Sequence, residues 1–190
     1  ADAVYEVLFR EALEAEPDQL FAYYFWAEDI GPGGKVRRTQ SDMYFAEVRP
    51  FEEIFREGEP PPSGQAPPSQ NEQAAEELAE LQKQIINATW RMVRDETGAE
   101  VSAEFVENVQ EILQGQQNAI EMLEELAAEL SDPQSKLIVD GVRGYMQSAV
   151  RELENSVQSN STEPLDDALA SEQASYAALL KLRSREFQVT

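Results

Sequence analysis

"SAEFVENVQEILQGQQNAIEMLEELAAEL", residues 102–130, decides the fold class of this chain. Val106, Val109, Leu113, Gln116, Ile120, Leu123, Ala127 and Leu130 recur at alternating spacings of three and four. Side chains so spaced share one stripe of an α-helix, because a turn takes about 3.6 residues. Phe105, Ile112, Ala119 and Leu126 widen that seam to the breadth of a globular helix face. The period extends in both directions. Upstream, residues 71–96 place Ala74, Leu78, Leu81, Ile85, Ala88 and Met92 in the stripe. Downstream, "SDPQ" (131–134) supplies a cap with Pro133 at the first helical position. The helix that follows turns Val139, Val142, Met146, Ala149, Leu153 and Ser156 inward. "SNSTEP" (159–164) breaks it and offers Ser161 or Thr162 as the next cap. Residues 163–188 then put Leu165, Leu169, Tyr176, Leu179, Leu180 and Phe187 inward. Lys181, Arg183 and Arg185 gather in the last turns, where the helix dipole favours positive charge. Long heptad-patterned helices with short connections predict an antiparallel four-helix bundle, each helix roughly 40 Å long.

The first third of the chain has a different period. "AVYEVLFR" (3–10), "LFAYYFWA" (20–27) and "QSDMYFAEV" (40–48) have the aromatic and β-branched content of strands. A "GPGGK" loop (31–35) joins the second to the third, and Arg49-Pro50 closes the third. In the second strand Leu20, Ala22, Tyr24 and Trp26 point one way and Phe21, Tyr23 and Phe25 the other. Neither face is polar, and a strand of that kind is normally covered on both sides. A lone hairpin is at best marginally stable, so Tyr24, Trp26 and Phe45 become candidates for contact with a partner. "FEEIFREG" (51–58) reads as a short helical turn, and "EPPPSGQAPPSQ" (59–70) as an extended spacer. The expected organisation is therefore 1–58 β, 59–70 Pro-rich linker and 71–190 helical bundle.

The chain has 37 acidic and 15 basic residues, a net charge of −22. Residues 1–70 carry 14 acids and 6 bases and residues 71–190 carry 23 and 9, so no basic region hides in the average. Such a field repels phosphate backbones and anionic headgroups, which argues against nucleic-acid binding and membrane contact. Its plainest meaning is a solvated, self-repelling surface. There is no cysteine and no histidine. Disulfides, thiolate chemistry, the usual general base and the commonest transition-metal ligand are thereby excluded. No apolar run approaches the roughly 18 residues of a membrane span. The chain opens at Ala1 without Met or a signal peptide and is expected to be a piece of something longer.

Few constellations carry chemistry. Carboxylate-bridged metal sites in bundles pair glutamates with Glu-x-x-His, and no histidine exists here. Calcium needs only oxygen ligands, and "WAEDIGPGG" (26–34) offers Glu28 and Asp29 as candidates, although no D-x-D-x-D-G loop is present. Gln116 stands beside Gly115 and Gln117 in the middle of the best heptad run. It reads either as a register or partner-choice device, or more plainly as a seam position near the surface where water satisfies the amide. Gly141 and Gly144 either allow close helix approach or mark weak spots of about 1 kcal/mol each. Asn87-Ala88-Thr89 and Asn160-Ser161-Thr162 read as chance sequons. No Walker loop, dinucleotide fingerprint or nucleophile–base pair can be assembled, and no cofactor is implied. A hydrolase would have to run on carboxylates alone, and no glutamate is marked above another.

Four stretches, "PDQLFAYYFWAED", "SDMYFAEVRPFEEIFREG", "EELAELQKQIINATWRMVRDETG" and "SEQASYAALLKLRSREFQV", come in that order and span most of the chain. Together they resemble large bacterial envelope proteins of unknown function. In these, N-terminal membrane helices precede immunoglobulin-like strands and a Gln- and Glu-rich helical tail. "AEVRPFE" and "LLKLRSREFQV" are the most specific parts. The resemblance implies that the strands are the last three of an immunoglobulin-like sandwich, and that the parent protein is membrane-anchored with this segment on the periplasmic side. It carries no catalytic residues. The expected role is a non-catalytic structural or protein-interaction segment, with a protein partner or self-association. A cation- or ligand-binding module using Glu28 and Asp29 is the alternative, and a carboxylate hydrolase the third reading.

Overall fold

The computed structural model describes residues 19–48, 70–96 and 101–189. The expected strand 3–10 and the turn 51–58 lie outside them, as does the spacer except for Gln70. The described chain is mainly helical with a small antiparallel β part. It falls into two compact units, one holding residues 19–23 and 44–48, the other 24–43 with 70–189.

In the first unit β1 (Leu20–Tyr23) pairs antiparallel with β4 (Tyr44–Glu47). Tyr23 lies opposite Tyr44 with ring centroids 5.7 Å apart, and the Val48 N–H donates to the Gln19 carbonyl at 2.9 Å. In the second unit β2 (Trp26–Ile30) pairs antiparallel with β3 (Val36–Gln40). The described strands thus form two two-stranded ladders, not the expected single set of three. The expected strand 20–27 is broken at Tyr24 and Phe25, and the expected strand 40–48 at Ser41 to Met43. The physical reason is local. Two residues on one side face three on the other, and the Ser41 side chain fills the gap by accepting from the Phe25 N–H at 2.9 Å. The Ser41 N–H returns a bond to the Phe25 carbonyl at 2.8 Å. An extra residue of this kind interrupts the pairing of a ladder.

The helices are α1 (Gln70–Asp95), α2 (Phe105–Glu129), α3 (Pro133–Ser159) and α4 (Leu165–Val189). Each packs on the next and α4 returns to α1, giving an up-and-down bundle closed on itself. The antiparallel sense of α1 and α4 is fixed by Asn71 reaching Glu186, Arg183 reaching Glu76 and Thr89 reaching Glu172. α3 follows expectation closely. Asp132 caps it by accepting from the Ser135 N–H at 2.9 Å, Pro133 opens it, and all six expected inward residues are buried. Asn160 ends it in the left-handed conformation (φ 50°), which asparagine tolerates better than most residues. Ser161 then accepts from the Glu163 N–H at 3.2 Å, a cap-like bond that leads into α4.

In α1 the buried stripe is rotated from the expected one, in α2 it falls within the expected widened stripe, and in α4 it is broader than expected. In α2 the core row is Phe105, Val109, Ile112, Gln116, Ala119, Leu123 and Leu126, with Leu130 closing it. Val106, Leu113, Ile120 and Ala127 flank that row, half-buried. In α1 the buried row runs through Ala75, Leu78, Gln82, Ile85 and Thr89, leaving Ala74, Leu81, Ala88 and Met92 half-exposed. In α4 Ala168, Glu172, Ser175, Leu182 and Glu186 join the expected Leu165, Leu169, Tyr176, Leu179 and Leu180. The side chain of Phe187 lies outside the described set. Lys181, Arg183 and Arg185 fall in the last turns of α4, though none in the final turn, and Arg183 and Arg185 bond Glu76 and Asp132 across the bundle. Each fully buried side chain such as Phe105, Leu123 or Leu153 contributes about 1.5–3 kcal/mol.

Candidate functional site

The described surface offers one protruding feature, an arm made of β2 and β3. Five residues per strand give it a length of about 16 Å. Its tip is the turn Gly31–Lys35, closed by the Gly31 N–H donating to the Lys35 carbonyl at 2.8 Å. Gly33 and Gly34 adopt φ of 89° and 76°, a region other residues enter only with strain.

The base of the arm is bolted to the C-terminal half of α1. Trp90 Nε1 donates to the Ser41 carbonyl at 3.0 Å, and the Tyr24 ring lies 4.5 Å from the Trp90 ring. Arg91 forks onto the Asp42 carboxylate at 3.1 and 2.8 Å, and Arg94 reaches the Gln40 carbonyl at 3.4 Å. The Arg91 hydrogen bond, reinforced by both guanidinium charges, holds the Asp42 carboxyl below its usual range. The Met43 N–H donates to Asn87 Oδ1 at 3.0 Å, and Gln173 of α4 donates to the Met43 sulfur at 3.2 Å. Met43 itself is buried.

Beyond this base the arm is largely exposed. Phe25, Trp26, Ile30 and Val36 are 65, 56, 77 and 66 % exposed. Ile30 pairs with Val36 at the tip. Alternation along the strands puts Trp26, Glu28 and Ile30 on one face with Val36 and Arg38. Arg38 lies over the Trp26 ring, 4.7 Å from its centroid, and donates to Glu28 at 2.8 Å. A contact of that kind at an exposed site contributes about 0.5–1 kcal/mol. Four large apolar side chains held in solvent by a hydrogen-bonded base are an unusual arrangement for a unit that has a bundle core available.

The second feature is a set of polar side chains inside the bundle. Gln82 of α1 and Gln116 of α2, both fully buried, exchange two amide hydrogen bonds at 3.0 and 3.1 Å. One level along, Thr89 Oγ1 stands 2.9 Å from Glu172 Oε1 and 3.2 Å from the Ile85 carbonyl. Glu172 is fully buried, its Oε2 has no partner among the described residues, and burial raises its pKa to about 8. At the far end Glu186 accepts from Ser135 at 2.5 Å and from Asn71 at 3.3 Å.

The sequence candidates therefore fall in separate places. Tyr24 belongs to the anchored base and Trp26 to the exposed face of the arm. Phe45 is half-buried in β4, opposite Ala22. Gln116 is a core residue bonded to Gln82; the expectation that water satisfies it near the surface is corrected. Glu28 and Asp29 are neighbours on one strand and so point to opposite faces. Each is engaged by an arginine across the ladder, Arg38 and Arg37 respectively, so the structure does not bring them together. Among the described residues no group of three acidic side chains is placed to hold a metal. Among the described residues the buried carboxylates are Glu172 and Glu186, fourteen residues apart on one helix and about 21 Å along its axis. That is far outside the roughly 5–9.5 Å separation of glycosidase pairs. The depression at the α3–α4 turn, lined by Asn155, Gln158, Ser159, Ser161, Glu163 and Pro164, is shallow and open. Gly141 and Gly144 face open space, so neither serves close helix approach. Among the described residues no helix is long and apolar enough to cross a membrane.

Gln82, Thr89, Glu172 and Ser175 escape a reading by hydrophobicity alone. Their signal lies in spacing: 75, 78, 82, 85 and 89 on α1, and 165, 168, 172, 175, 179, 182 and 186 on α4, keep a strict three-four alternation through the polar residues.

Fold and site together define an antiparallel helical bundle carrying a short β arm. Comparison with family models, curated proteins and solved structures gives no match to any of them.

Proposed function

We propose that this chain is a non-catalytic structural or protein-interaction segment of a larger bacterial envelope protein, acting on the periplasmic side through a protein partner. The observation that carries the reading is the β2–β3 arm: its base is anchored by five hydrogen-bonding side chains, while Phe25, Trp26, Ile30 and Val36 stand in solvent. Exposed apolar surface rimmed by charge is what protein interfaces present before they form. The −22 net charge makes two copies repel, which favours a partner other than a second copy. The envelope setting, membrane anchoring of the parent and the origin of the strands in an immunoglobulin-like unit rest on the resemblance of "AEVRPFE" and "LLKLRSREFQV" alone.

The test is a photo-crosslinking residue placed at Ile30 in the parent protein in cells, with the same residue at the exposed Glu111 of α2 as control. A discrete adduct from position 30, absent from position 111 and lost with Trp26→Ala, is the expected result. Equal adducts from both positions, or none from the arm, contradict the reading. So does saturable hydrolysis by the purified chain that a single Glu→Gln substitution abolishes.

A further inference from the structure

Glu172 is the one buried carboxylate with an oxygen left unpartnered among the described residues. Thr89, which it contacts, is flanked on α1 by Asn87 and Trp90, and both of these bond the arm's base. The next residue on its own helix, Gln173, bonds Met43. Proton position and arm attachment therefore share the same turns of α1 and α4.

The hydrogen-bond geometry favours the neutral acid. A hydroxyl has one proton to give. With Glu172 protonated on Oε1, that proton goes to Thr89 Oγ1 at 2.9 Å, and Thr89 gives its own to the Ile85 carbonyl at 3.2 Å. Every donor is then placed, and only a neutral carbonyl oxygen is left without a partner. With Glu172 ionised, Thr89 must turn its proton to the carboxylate, and a charged oxygen remains buried with no donor. Burying a charge unpaired costs far more than burying a neutral acceptor.

No surrounding group relieves that charge. On α1 the cations near this level, Arg91 and Arg94, are turned to Asp42 and Asp95. The described buried residues of α2 and α3 include no titratable side chain. On α4 the buried titratable groups besides Glu172 are Tyr176, one turn on, and the distant Glu186. From the arm, Met43 packs inward and Asp42 faces the arginines.

We propose that Glu172 is a proton latch: neutral, it keeps the α1–α4 seam closed and the arm seated; ionised, it draws water into the seam and unseats the arm from Asn87, Trp90 and Gln173. The proposal concerns the isolated chain and stands whether or not the arm binds a partner.

Trp90 reports the seat. In a Trp26→Phe background the remaining tryptophan is buried beside Ser41 and Tyr24, so its emission shifts to the red when the arm leaves. Between pH 6 and 9.5 the expected result is a red shift with a midpoint near 8, with far-UV helicity retained. The shift is absent when Glu172→Gln is added. If that variant does not fold, Glu172→Met, similar in volume and unable to ionise, serves as the control with the same expectation. Emission that stays constant over the range overturns the latch. A shift that survives in the non-ionisable variant, or one accompanied by loss of helicity, overturns it equally.

Discussion

Gln82 and Gln116 show how much a single side chain decides in this core. Each amide is fully buried, and each satisfies the other. Gln116→Leu strands the Gln82 amide and is expected to cost about 1–3 kcal/mol in urea unfolding. Adding Gln82→Leu removes the orphan but takes from the buried Ser175 hydroxyl its acceptor at 3.5 Å, so the double variant is expected to recover part of that loss. A double variant as unstable as the single would show that the pair contributes more than mutual satisfaction. Glu172 acts in the opposite sense to an ordinary surface carboxylate. Its pKa rises from 4.5 to about 8 on folding, so the native state holds a proton that the unfolded chain releases above about 4.5. This contribution is fully present below 4.5 and is lost as pH rises through 8. Chemical denaturation at pH 5, 7 and 9 should show stability falling with pH, and Glu172→Gln should flatten that slope. Hydrophobic content alone does not mark Gln82 or Glu172, whereas three-four spacing places them, like Gln116, in the buried row. Which side chain on another helix each one bonds is what one helix's periodicity cannot display.

At the level of elements, legibility followed how much each one decides for itself. α3 was readable residue by residue because its cap, Pro133 and its apolar row are all local signals. The buried row of α2 falls within the expected widened stripe, on the side of Phe105, Ile112, Ala119 and Leu126, since two apolar rows compete and packing chooses between them. The row of α1 is rotated and that of α4 is broader than expected because they pass through Gln82, Thr89, Glu172 and Ser175. The arm was least legible. The break at Tyr24 and Phe25 depends on Ser41 bonding the backbone and on α1 holding Ser41 to Met43, and neither shows in strand propensity. The two helical glycines of α3 now have one reading: nothing stands within 4 Å of an added Cβ at Gly141 or Gly144. Each Gly→Ala change is therefore expected to stabilise the chain by up to about 1 kcal/mol in thermal or urea unfolding. A loss of stability at either site would mean that the helix face is occupied.

For the whole molecule the acid limb belongs to Asp132. It caps α3 and accepts both Arg185 nitrogens, at 3.1 and 3.3 Å. The Arg185 hydrogen bond, with the Ser135 backbone N–H next, lowers its pKa from 3.8 to about 2. That stabilisation is present above 3.8 and is lost as pH falls towards 2. Asp132→Asn should keep the cap, lose the ion pair and shift acid unfolding to higher pH; an unchanged acid midpoint would remove Asp132 from this role. At the same scale, four helices meeting in a closed cycle leave no described seam in need of a second chain, and a −22 charge discourages one. The most direct test is the solution mass, by light scattering on a sizing column at low and high salt. A monomer near 21.3 kDa at both salts is the expected result. A dimer that persists at high salt would contradict it, because the core or the exposed arm would then be completed by a second copy.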